Sequence, residues 1–317
     1  MSLGVQDSSG RRRLRIHEVA PRDGLQIEPV FVPTDRKIDL IDRLSTTGLA
    51  KIEVTSFVSP TAIPTLADAE EVMRGICRVD GIVYAALVPN VRGCHRALAC
   101  DVDELNLVMS ASEGHSRANL RMTPLQSLLA FEDIVDVTAG TGVLINASIS
   151  TAFGCPFDGA VPVETVLELV DRIEQLGVGG VTLCDTTGVA NPRQVGILCA
   201  SVLLRYPRLN LTVHFHDTRG LGLANALAAF EAGIERFDAS LGGLGGCPFA
   251  PGASGNVCTE DLVHMFEAME LNTGVDLDQL LAVAGSLPAL VGHAVPGQVL
   301  RAGKADRRHA MLASIDR

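Results

Sequence analysis

The sequence predicts a single closed parallel (β/α)8 TIM barrel, class α/β, with extra C-terminal helices. Two observations carry this. From Leu14 onward eight short β-rich runs alternate with eight longer amphipathic stretches, and eight such units in roughly 250 residues is the count and length of that barrel. The positions expected at the carboxyl ends of the strands are also rich in polar and ionisable residues, and in a parallel barrel that is where chemistry sits. A doubly wound open sheet, built from the same units, is the runner-up.

The strand candidates are Leu14–Ala20, Lys51–Ser56, Val83–Val88, Leu105–Met109, Val143–Ser150, Gly180–Cys184, Leu211–His216 and Phe237–Leu241. The helical stretches lie near Asp35–Thr47, Ala67–Ile76, Val91–Ala99, Pro124–Ala139, Pro162–Leu176, Pro192–Leu204, Leu223–Ala232 and Thr259–Met269. Thr34 precedes a 3.6-period run, and Pro124, Pro162 and Pro192 stand where a first-turn proline is tolerated. Gly48, Gly177 and Gly233 stand where helices should stop. Beyond Asp276 one or two further helices pack on the barrel before a polar tail. The domain reading is a disordered segment over 1–13, a catalytic barrel over 14–274, and a helical extension and tail over 275–317.

Composition excludes several classes. The 317 residues carry 26 Lys and Arg against 37 Asp and Glu, a net charge of −11, which argues against nucleic acid or an anionic membrane as general partner. Eight scattered cysteines with no CxxC suggest neither a disulfide framework nor a zinc knuckle. No apolar run reaches the ~18 to 20 residues that span a bilayer, and the N-terminus lacks the apolar core of a signal peptide. The chain therefore reads as cytoplasmic.

The stretch His214–Asn225 joins a metal-ligand spacing to a strand end. His214 and His216 are two apart, so on an extended strand both imidazoles leave one face. Such a pair alone is more often structural. At other strand ends stand Pro21–Gln26, Glu53 with Thr55-Ser56, Asp185–Gly188, and after strand eight the glycine-rich Gly242–Pro248 and Gly252–Asn256. Asp23, His214, His216 and Asn256 form a mixed oxygen and nitrogen set that suits Mg²⁺ or Mn²⁺ better than a closed zinc site. Taken singly, Asp23 would cap a turn and Asn256 would fit a tight loop. Glu53 and Asp185 are candidates to hold Arg22 or a histidine, or to make ordinary structural hydrogen bonds.

These residues carry a family resemblance. Pro21–Gln26, Thr55–Pro60, His214–Thr218, Gly243–Pro248 and Gly252–Asn256 resemble the 3-hydroxy-3-methylglutaryl-CoA lyases, within the wider group of metal-dependent lyases and carboligases. The likeness runs from about Leu14 to Gly274. The Arg-Asp-Gly-x-Gln and His-x-His motifs are common to the group; the Gly-Leu-Gly-Gly-Cys-Pro loop is particular to the lyases. The resemblance implies Asp23, His214, His216 and Asn256 as ligands of Mg²⁺ or Mn²⁺, Arg22 as catalytic electrophile, Cys247 on a loop closing over the site, and Glu53 and Asp185 in support. The sequence departs from the pattern at Arg219, where Tyr is common, at Leu221, where Gln is common, and at Ile27, where Asn is usual.

The reaction implied cleaves a carbon–carbon bond beside a tertiary alcohol of an acyl-CoA, giving acetyl-CoA and a ketone product such as acetoacetate. Asp23 or His214 would take the hydroxyl proton, Arg22 would stabilise the enolate, Cys247 would protonate it, and Gln26 and Arg219 would bind substrate. An acyl-CoA is the expected partner, with a homodimer as the expected assembly. The alternatives are a carboligase running the bond-forming reaction and a metal-binding barrel without catalysis.

Overall fold

A computed structural model describes residues 13–246 and 255–308. Its eight strands close into one barrel, each parallel to its sequence neighbours and the last paired with the first, which excludes the open sheet. The strands are β1 (Arg15–Glu18), β2 (Lys51–Ser56), β3 (Val83–Leu87), β4 (Glu104–Ser110), β5 (Leu144–Ser150), β6 (Gly180–Asp185), β7 (Asn210–Phe215) and β8 (Arg236–Ala239). The helices between them are α1 (Thr34–Ser45), α2 (Ala69–Gly75), α3 (Val91–Leu98), α4 (Glu113–Leu120), α5 (Pro124–Thr138), α6 (Val163–Gln175), α7 (Pro192–Arg205) and α8 (Gly222–Ala232). After β8 come α9 (Thr259–Ala268), α10 (Leu277–Ala284), α11 (Leu287–Val291) and α12 (Gln298–Ala302). No helix among the described residues is long and apolar enough to cross a membrane.

Local chemistry sets these boundaries. Thr123 and Asn191 cap α5 and α7 with full capping boxes to Gln126 and Gln194, and a proline opens each helix. Gly233 ends α8 with φ +110°, a conformation that costs a side chain dearly. Three points differ from expectation; the first is that three helices, α10 to α12, follow Asp276 among the described residues where one or two were expected. Helix α4 was not anticipated because Glu113–Leu120 shows no clear apolar stripe; it is an extra helix of about two turns inserted between β4 and α5. Ala20–Gly24, expected as strand end and loop, is one turn of π-helix, in which the Val19 carbonyl accepts from the N–H groups of Arg22, Asp23 and Gly24.

The strands alternate in character although both faces are buried. Outward residues such as Ile16, Ile52, Leu105, Ala147, Val181, Val213 and Phe237 belong to the apolar layer under the helices. Their inward neighbours, including His17, Glu53, Asn106, Asn146, Thr182 and Asp238, are polar. Parallel strands usually read as continuous apolar runs; this interior is stable because its groups satisfy one another. Asn106 donates to Glu53 (2.8 Å), Asn146 to Asn106 and Thr182 (both 3.0 Å), and Ser148 to Asn106 (2.8 Å).

Candidate active site

The polar interior rises to a cavity of about 630 Å³ at the carboxyl ends of the strands, lined among others by Arg22, Asp23, Gln26, His214 and His216. The π-helical turn after β1 delivers Arg22 and Asp23 side by side, and β7 delivers the two histidines, with His216 just beyond its last residue. One ligand atom each from Asp23, His214 and His216 lie within 4.8 Å of one another. Asn256 pairs its backbone with His216 in an isolated bridge, while its Nδ2 donates to Asp23 Oδ2 (2.7 Å) and to the Leu244 carbonyl (2.9 Å). All four expected ligands therefore meet, from three separate segments.

Among the described residues two buried atoms in this cluster have no hydrogen-bond partner: His216 Nδ1 and Asn256 Oδ1. Leaving a buried polar atom unmet costs about 1–3 kcal/mol, and a cation bound among them would remove that penalty. A carboxylate, an amide oxygen and two imidazoles fit a divalent ion. Gly245 makes room for the set: with φ +104°, a Cβ there would lie 2.5 Å from Asn256 Nδ2 and 3.1 Å from Asp23 Oδ2.

Electrostatics match this geometry. Arg22 places Nε and Nη2 on Glu53 Oε2 (2.7 and 2.6 Å) and Nη1 on Asp23 Oδ1 (2.6 Å). Burial opposes its charge, but the two carboxylates more than offset that and hold the guanidinium above its ordinary pKa. Burial also opposes ionisation of Asp23, yet Arg22 and the two histidines keep its carboxyl below the usual range. Burial, then the neighbouring His214, pushes His216 down to about 4, so its ring is neutral and ready to ligate at neutral pH. His214 lies above its ordinary value despite burial, because Asp238 and Asp23 favour its protonated form.

Asp238 was not identified from the sequence. It takes His17 Nδ1 at 2.9 Å and stands 3.6 Å from His214 Nδ1, behind the cluster of Asp23, His214 and His216. The available signal was its inward parity in β8, hidden because that strand was read as starting at Phe237 on an apolar residue.

Other expected residues take different places. Glu53 holds Arg22, as expected. Asp185 does not hold Arg22 or a histidine through a hydrogen bond; its two oxygens accept from the Val189 and Ala190 N–H groups at 2.9 and 3.1 Å, bracing the loop after β6. Burial pushes its carboxyl up to about 6 against those bonds. Arg219 does not reach the cavity; it is exposed and donates to the Thr187 and Gly188 carbonyls at 3.0 and 2.8 Å, because β7 ends beside the β6 loop whose carbonyls need donors. Leu221 is the residue before α8, 38% exposed, and Ile27 lines the cavity. Cys247 lies outside the described residues.

Comparison with known proteins places the chain among its relatives. The HMGL-like family model matches residues 13–286. The chain is 45% identical over 293 residues to hydroxymethylglutaryl-CoA lyase YngG of Bacillus subtilis, covering 92% of this chain and 98% of that one. It is 42% identical over 298 residues to the (R)-citramalyl-CoA lyase of Chloroflexus aurantiacus, covering 91% and 94%. A solved HMG-CoA lyase from Acinetobacter baumannii, in complex with coenzyme A and 3-methylmalate, superposes with a TM-score of 0.91 at 53% identity, over 94% of this chain and 98% of that one. With the family model matching residues 13–286 and relatives of 42–53% identity covered over more than nine-tenths of their length, the chain belongs to the HMGL-like family.

Proposed function

We propose that this protein is a divalent-metal-dependent carbon–carbon lyase acting on 3-hydroxy-3-methylglutaryl-CoA or a closely related 3-hydroxyacyl-CoA. The products would be acetyl-CoA and a ketone product, acetoacetate for that substrate. The observation that carries the reading is Arg22, clamped by Glu53 against Asp23 and aimed into the cavity beside the two histidines. A divalent ion held by Asp23, His214, His216 and Asn256 would supply Lewis acidity toward the substrate's hydroxyl and carboxylate oxygens.

The remaining chemistry belongs to the chain. The hydroxyl proton passes to Asp23 or to His214, and Asp238 behind His214 stabilises the imidazolium that would result. As the carbon–carbon bond breaks, its electron pair moves to the acetyl carbon and charge develops on the thioester oxygen. Arg22 stays ionised throughout, and its fixed fork meets that charge in the transition state more than in the ground state. Glu53 and Asn106 keep the fork from turning. Protonation of the acetyl carbon we assign to Cys247, with Gln26 at the cavity wall contacting substrate.

A second reading has an observation of its own. The citramalyl-CoA lyase is nearly as similar as the hydroxymethylglutaryl-CoA lyase, and its substrate differs in the length of the acid arm. The metal-loaded protein should therefore be incubated with both esters and with other 3-hydroxyacyl-CoA esters, and free acetyl-CoA followed. Release from one ester names the substrate. Net consumption of acetyl-CoA with a keto acid would make the protein a carboligase, and inertness toward every ester would sink the proposal.

A further inference from the structure

The opposite mouth of the barrel holds a second cavity, of about 330 Å³, and the first residue of every one of the eight strands lines it. Those first residues share inward parity with the site residues above them: Arg15 with His17, Lys51 with Glu53, Glu104 with Asn106, and Arg236 with Asp238. Gly180, at the start of β6, contributes no side chain, and a Cβ there would meet Asn146 Oδ1 at 2.7 Å, so the Asn146 amide packs directly against it.

The charge in this cavity does not balance. Its lining carries three cations, Arg15, Lys51 and Arg236, and one carboxylate, Glu104. Lys51 consumes that carboxylate at 2.6 Å, with both side chains largely buried. Arg15 and Arg236 are direct partners in the register between β1 and β8, so two guanidiniums start from backbone positions about 5 Å apart. Like charges opposite each other destabilise a strand pair. Among the described residues neither guanidinium forms an ion pair or donates a hydrogen bond. Burial and the Arg15 charge hold Arg236 below the ordinary arginine value. Arg15 is exposed and Arg236 half-buried, so both forks are open to a ligand at this mouth, while Glu235 and Glu104 act on Arg236 only as nearby charges.

We propose that this mouth is a binding site for a small dianion, gripped by the forks of Arg15 and Arg236. Two paired forks recognise the adjacent oxygens of a phosphate group or the two ends of a short dicarboxylate. The overall net charge of −11 makes such recruitment local to this mouth rather than a property of the surface.

The test is isothermal titration of the full-length protein at neutral pH and constant ionic strength with inorganic phosphate, with a phosphate monoester and with malonate, chloride serving as control. At least one dianion should bind with a dissociation constant below about 1 mM, and Arg15→Gln with Arg236→Gln should weaken it at least tenfold while lyase turnover is unchanged. Arg236→Lys, which keeps the charge and loses the fork, should give an intermediate loss and guards against misfolding of the double variant. Preference for the phosphates or for malonate distinguishes the two sources. The proposal is overturned if no dianion binds, or if the folded variants bind as tightly as the parent, since the anion would then sit elsewhere.

Discussion

Replacing Asp238 by Asn keeps the shape of the side chain and removes its charge from between two histidines, His17 at 2.9 Å and His214 at 3.6 Å. Burial opposes ionisation of Asp238, but the hydrogen bond with His17, the close approach of His214 and the charge of Lys51 hold its carboxyl far below the usual range, so it is an anion at any working pH. At 3.6 Å and an effective dielectric of ~20, a full carboxylate–imidazolium attraction would be about 4–5 kcal/mol before desolvation is subtracted. A neutral, ligating ring retains only the orienting contact, and the partners behind ligating histidines typically account for about 10–100-fold in metal affinity. Asp238→Asn should therefore weaken Mn²⁺ binding about 10–100-fold, or about 1.4–2.7 kcal/mol. The assay is calorimetric titration of chelator-stripped protein, with melting curves taken without metal to check the fold. His17→Phe, which spares the carboxylate beside His214, should change the affinity less than about threefold on the same reasoning. Unchanged Mn²⁺ affinity in folded Asp238→Asn, or an equal loss in His17→Phe, would refute the positioning role.

Three further outcomes are expected. Arg22→Gln should lower kcat about a hundredfold or more with little change in KM, as for loss of a contact made mainly in the transition state; near-normal kcat would remove Arg22 from the chemistry, and a collapsed Tm would make it a clamp for Glu53 and Asp23. Gly245→Ala should weaken metal binding, because the methyl would press on Asn256 and Asp23 and φ +104° strains any side chain; an intact metal titration would show that the loop yields. Burial pushes Glu260, which accepts from the Gly242 N–H at 3.0 Å, up to about 7. A raised carboxyl contributes stability below its unfolded value near 4.5 and loses it as pH rises through 7, so Glu260→Gln should gain on the parent by about 3 kcal/mol between pH 4 and 8; denaturant melts showing a pH-independent difference would contradict this.

The barrel was legible because it rests on local, repeated signals. Apolar periodicity, first-turn prolines at Pro124 and Pro192, and the stop at Gly233 act within one β/α unit, and eight units leave few other ways to bury so much surface. The four ligand candidates were legible for a related reason: in this architecture, standing at a strand end already fixes which face a residue reaches. The clamp between Arg22 and Glu53 was legible only as one of two options.

What the sequence could not decide was who meets whom across the barrel. Asp238 and His17 are 221 positions apart, and each looks unremarkable in its own strand; only closure of β8 onto β1 sets them together behind His214. Asp185 and Arg219 stand at strand ends like Asp23 and the two histidines, yet nearby backbone donors and acceptors claim them first. The turn at Ala20–Gly24 depends on one carbonyl serving three N–H groups, a choice made by packing rather than propensity. The residue types and their strand positions were thus determined by the sequence alone. The pairing of their charges was decided by tertiary closure, because a hydrogen bond needs a partner within about 3 Å and chain order carries no such distance.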